Sequence, residues 1–130
     1  MSYYISTTIK CDFQQAVQIV TEELKKVGFG VLTEIDIQQK FKEKLDVDFR
    51  KYKILGACNP PFAHKALKED DKIGTMLPCN IIVQELNNNL IEVAAIDPVA
   101  SMKAVDNEAI QGIANEIKGK LEKVISTLSA

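Results

Sequence analysis

No stretch of this 130-residue sequence approaches the roughly 18 consecutive apolar residues of a membrane-spanning helix, so a bilayer is not the expected surroundings. The opening Met1-Ser2-Tyr3-Tyr4 has no basic stretch followed by an apolar one, the pattern of a secretory leader, and the expectation is a cytoplasmic chain. Charge of one sign is not in excess either: 16 Lys and Arg against 18 Asp and Glu leave a net charge of -2. Without a global field to draw the protein onto phosphates or anionic lipid, neither nucleic acid nor a membrane is an expected partner. Cysteine is scarce. Cys11, Cys58 and Cys79 form an odd set with no C-x-x-C pair, which suits a reducing compartment better than a disulfide framework and leaves at least one thiol free. A Gly-rich phosphate loop, an H-E-x-x-H and a G-x-S-x-G are missing too, which argues against nucleotide, zinc-protease and hydrolase chemistry. No repeat, linker or low-complexity tract divides the chain, and residues 1–130 read as one domain.

What is present is a globular composition, 46% apolar and 26% charged, close to the average for folded domains. Tyr3, Ile5, Thr7 and Ile9 alternate with Tyr4, Ser6 and Thr8, the period of a strand with one buried face. Asp12 then reads as an N-cap, and Phe13, Ala16, Val17, Val20, Leu24 and Val27 follow helical spacing up to the permissive Gly28. A second strand carries Val31, Thr33, Ile35 and Ile37 on one side. Gln38 to Leu45 reads as a short charged helical turn. The third strand covers about Arg50 to Cys58, with Tyr52, Ile54, Gly56 and Cys58 on one face. Asn59-Pro60-Pro61 ends it and starts a short helix over Pro61–Glu69, since Asn caps well and Pro suits the first helical turn. The fourth strand is Leu77 to Leu86. Asn87-Asn88-Asn89 makes a hairpin loop to a fifth, Leu90 to Ile96. After Asp97-Pro98 and an irregular piece containing Met102, the last helix carries Ile110, Ile113, Ile117, Leu121, Val124 and Leu128.

This order predicts an α+β fold: a mainly antiparallel sheet of four to five strands backed by two helices, β-α-β-β-β-β-α, with a helical insertion between strands three and four. The arrangement is similar to the TATA-binding-protein-like group, a likeness that carries no function with it.

The most unusual stretch runs from Tyr52 through Gly56-Ala57-Cys58-Asn59-Pro60-Pro61 to Ala63-His64-Lys65-Ala66-Leu67, followed by Ile73-Gly74-Thr75-Met76-Leu77-Pro78-Cys79-Asn80. With the C-N-P turn, A-x-x-A-L, I-G-x-x-L-P-C, V-x-E at Val83 to Glu85 and Ile96-Asp97-Pro98, the sequence resembles the domain of unknown function 302 family over nearly its whole length. The resemblance implies a dimeric α+β domain and no activity. A homodimer also fits Tyr4, Leu32 and Ile82, apolar residues on strand faces opposite those assigned to the core.

Chemistry must therefore be sought in the residues themselves. If strands three and four are antiparallel neighbours, Cys58 and Cys79 lie at one edge of the sheet, where His64 on the insertion helix can overhang them. Two sulfurs and an imidazole suit zinc or copper, with thioethers of Met76 and Met102 nearby. The same cluster can instead hold a reactive thiolate beside its base. Asn59 and Asn80 offer polar groups to a small ligand at that edge, although capping is the simpler role for Asn59. An ordinary core fits the cysteines equally well, because buried Cys is common and the spacings C-x5-H and C-x20-C match no established zinc pattern.

The segment Lys40 to Lys53 holds six basic and three acidic residues, but with both signs interspersed it reads as a solvated face. The expected function is that of a homodimeric accessory domain binding a small molecule or a soft metal, zinc or copper, through Cys58, Asn59, His64, Met76, Cys79 and Asn80. The alternative is a small thiol-dependent enzyme using Cys58 or Cys79 with His64.

Overall fold

The alternation at the start of the chain becomes β1 (Tyr4–Lys10), whose odd-numbered residues turn inward and even-numbered residues outward. Asp12 caps α1 (Phe13–Lys26) by accepting the Gln15 N–H at 2.8 Å, and Phe13, Ala16, Val17, Val20 and Leu24 are the buried stripe. Gly28, at φ 89°, takes the left-handed backbone that ends the helix at little steric cost. Then follow β2 (Gly30–Asp36), α2 (Ile37–Leu45), β3 (Tyr52–Cys58), α3 (Pro60–Glu69), a 3-10 helix (Asp71–Met76), β4 (Cys79–Asn87), β5 (Leu90–Ile96), α4 (Pro98–Ser101) and α5 (Glu108–Ser129). The structure, a computed structural model, describes residues 2–129.

All five strands join one antiparallel sheet in the order β1-β5-β4-β3-β2. The α+β architecture read from the sequence is the one observed. Helices α1 and α5 lie on one face, over Leu55, Ala57, Ile81, Val83, Ile91, Val93 and Ala95. Each buried Leu, Ile or Val among these contributes about 1.5–3 kcal/mol. A smaller cluster of Ala66, Ile73, Met102, Ile110 and Ala114 joins α3 to α5. No helix among the described residues is long and apolar enough to cross a membrane.

Three local expectations are corrected. Gln38 to Leu45 belongs to a nine-residue helix, which Asp36 caps by accepting the Gln39 N–H at 2.9 Å. The fourth strand starts at Cys79, not Leu77, because the 3-10 helix occupies the chain up to Met76 and Pro78 has no N–H to give a ladder. The piece after Asp97 is not irregular: Asp97 accepts the Val99 and Ala100 N–H groups and starts α4, and Met102 is buried.

Neither core cluster covers the other face of the sheet, where Phe41 of α2 and Phe49 pack beside Tyr52. By strand alternation this face presents Tyr4, Ser6 and Thr8 of β1, Glu92, Ala94 and Ile96 of β5, Asn80, Ile82 and Gln84 of β4, and Tyr52, Ile54 and Gly56 of β3.

Candidate functional site

Cys79 pairs with Ala57 across the β3–β4 ladder, so Cys58 and Cys79 do lie on neighbouring strands at one sheet edge. One register step separates them, and alternation turns them to opposite faces. Cys79 faces the core and is buried, while Cys58 is half-buried. Both border an apolar cavity of about 30 Å³, which is closed by Phe62, Ala63 and Ala66 of α3 and by Met102. That volume suits a water molecule or two, not an organic ligand.

The remaining expected members do not join it. The positions of α3 that face the cavity are Phe62, Ala63 and Ala66, and His64 lies on the exposed side of the helix. Met76 is exposed at the end of the 3-10 helix, and its place beside the cavity is taken by Leu77 and Pro78. Among the described residues no three His, Cys, Asp or Glu side chains group closely enough to hold a metal ion. Burial, then the nearby Cys58, pushes the Cys79 thiol up to about 11, so at neutral pH it is a protonated core group and a poor nucleophile.

Asn59 is buried, with 7% of its surface exposed. Its backbone carbonyl accepts the Ala63 N–H at 2.9 Å, but its side chain does not cap α3. Instead Nδ2 donates to the Val27 carbonyl at 3.5 Å, tying the start of α3 to the end of α1. A Cβ on Gly28 would stand 3.0 Å from that Nδ2. The side chain of Asn59 is thus committed to an internal contact.

Asn80 lies away from that cavity, on the open face of the sheet, where it lines a different site. A trough of about 380 Å³ runs across β1, β5, β4 and β3, within the usual volume range of small-molecule pockets, roughly 300–1,000 Å³. The register defines its shape in rows. At one end Tyr52, Gln84 and Glu92 stand side by side; Ile82 and Ala94 form the floor; Asn80, Ile96 and Tyr4 make the far end. Tyr3 extends that end, its ring edge-to-face with Tyr4 at 5.1 Å. Gln84 Nε2 donates to Glu92 Oε1 at 2.7 Å, and Phe49 packs on Tyr52 with ring centroids 6.2 Å apart. Apolar walls with a few fixed polar groups are what small-ligand sites are made of.

Sequence reading missed the tyrosines, Gln84 and Glu92. Their signal was the even-numbered alternation in β1, β4, β5 and β3. It becomes a site only once the strand order is known.

The family model described as Domain of unknown function DUF302 matches residues 5–128. Among solved structures, the crystal structure of an uncharacterized conserved protein DUF302 from Bacillus stearothermophilus aligns over 97% of this chain and 98% of its own, with 26% identity and a TM-score of 0.88. No curated protein matches the sequence.

Proposed function

The chain belongs to the DUF302 family, and from its own geometry we propose that it is an accessory domain that binds a small molecule on the open face of its sheet and works as a homodimer. The observation that carries the binding reading is the trough of about 380 Å³ with three tyrosines and the Gln84–Glu92 pair on its walls. The Cys58/Cys79 edge has less support, because its cavity of about 30 Å³ excludes an organic ligand and His64 and Met76 are exposed away from it. A soft metal at Cys58, His64 and Cys79, or a thiol-dependent reaction there, would require α3 to turn.

The homodimer rests on α2 and its neighbours. Ile37, Phe41 and Leu45 recur at helical spacing, yet no residue of α2 is buried, and Leu45 and Leu32 of the edge strand β2 are each more than 60% exposed. Phe41 packs edge-to-face on Phe49 with ring centroids 5.1 Å apart, so the apolar side of α2 is covered only in part, and the exposed Leu45 and Leu32 leave a surface suited to a second copy.

The binding reading is tested by nuclear magnetic resonance titration with phenylbutanol, a neutral compound with an apolar body. Saturable amide shifts at Ile82, Ala94 and Tyr52, removed by Ala94→Phe, are the expected result. Shifts confined to Ala57 and Cys79, or none, would sink it.

A further inference from the structure

Given that reading of the open face, the walls of the trough are informative about charge. Among the described residues lining it, Glu92 is the only Asp or Glu, and no Lys, Arg or His is present. Its carboxylate is held in place, since Oε1 accepts from Gln84 Nε2 at 2.7 Å. None of the ion pairs among the described residues includes it. Thr8 stands opposite Glu92 on β1. Lys10, two residues further along the same face, makes no ion pair with it, and the Arg50 guanidinium at the neighbouring end lies over the Phe49 ring, 4.4 Å from its centroid. A half-buried carboxylate fixed on one oxygen by an amide leaves the other oxygen for a ligand, and a cation gains more from it than a neutral group does.

Length follows from the register. From Glu92 to Ile96 is four residues, about 14 Å at the antiparallel rise. The carboxylate and the Tyr3–Tyr4 pair therefore mark opposite ends, with the apolar floor of Ile82 and Ala94 between them. Tyr52, one strand beyond Gln84 from Glu92, adds an aromatic face near the charged end, where a cation is also favoured.

We infer that the trough takes an elongated organic amine, with its protonated nitrogen at Glu92 and Gln84 and its apolar body lying over Ile82 and Ala94 toward Tyr4. This rests on the binding reading above, and the test separates the two. Phenylbutylamine, phenylbutanol and phenylbutyrate share one body and differ in the charge at its end. Each is titrated by nuclear magnetic resonance into the full chain and into Glu92→Gln, whose amide keeps a partner for Gln84.

The amine should bind the wild type about tenfold or more tightly than the alcohol, as for a charge-assisted hydrogen bond, and the carboxylate most weakly. Glu92→Gln should remove the amine's advantage over the alcohol. If the alcohol binds in the trough and the amine no better, the amine inference is overturned and the pocket stands. If no compound shifts Ile82 or Ala94, both readings fail. Perturbations of these amides that follow protein concentration and not ligand would overturn both in favour of a second copy covering the face.

Discussion

Lys118 reaches from α5 to the end of β5, where its Nζ lies 3.0 Å from Asp97 Oδ2. Oδ1 of the same carboxylate accepts the Val99 N–H at 2.9 Å and the Ala100 N–H at 3.3 Å. One buried side chain thus starts α4 and fastens the long helix to the sheet.

Asp97→Ala should lower stability by about 1–2 kcal/mol, the usual cost of losing a helix cap, and Tm by roughly 4–8 °C. Burial by itself would raise the Asp97 carboxyl, but the Lys118 hydrogen bond, the Ala100 N–H, the Lys118 charge and the Val99 N–H outweigh it and hold the group below its ordinary value. A folded-state value below the unfolded one means stability that is present above about pH 3.9 and lost as pH falls through the lowered value. Urea unfolding across the acid range should therefore show a steeper loss in the wild type than in Asp97→Asn. Equal slopes would contradict the linkage.

Gly56 should not accept a side chain. A Cβ there would overlap Thr33 Oγ1 and stand 2.8 Å from Pro78 Cγ, in the second strand from the edge. Gly56→Ala is expected to cost about 1–3 kcal/mol by overpacking. Adding Thr33→Ala should return part of it, a non-additivity that a double-mutant cycle in urea measures.

The two edge thiols should differ in reactivity. Cys79, pushed up to about 11 by burial and by Cys58, should alkylate in the folded protein far more slowly than half-buried Cys58. Comparing wild type with Cys58→Ser and Cys79→Ser as pH rises checks this. The raised value also has a stability consequence. The contribution is complete below the unfolded thiol value of about 8.5 and is lost as pH rises toward 11, because the unfolded state ionises first. Cys79→Ala should flatten that alkaline decline. Rapid alkylation of Cys79 at neutral pH would restore the case for a reactive edge.

Sedimentation over a range of concentrations should show a dimer, and Leu45→Glu should weaken it at least about tenfold with the circular dichroism spectrum unchanged. Leu45 is 65% exposed in the single chain, so a charge there costs the monomer little. A wild type that sediments as a monomer throughout would refute the homodimer.

Local pattern was legible without coordinates. The sequence determined that Ile5 and Ile9 share a side of β1, that Asp12 starts a helix whose Phe13, Ala16, Val17, Val20 and Leu24 are buried, and that Asn87 to Asn89 closes a hairpin, with Asn89 at φ 60°. Each depends on residues a few positions apart, whose side chains and backbone dihedrals constrain one another directly. The antiparallel neighbourhood of Cys58 and Cys79 was legible too, but their opposite facing was not. It depends on Ala57, and not Cys58, being the partner of Cys79, and a one-residue change of register reverses every side chain. The same holds for the trough. Tyr4, Ile82 and Glu92 each appear in the sequence as the outward member of an alternating strand. Only the tertiary structure decided that β5 lies between β1 and β4, and so gathered them on one face, because strand order is set by burying the helices' apolar stripes across the whole sheet, a long-range balance that no local pattern encodes.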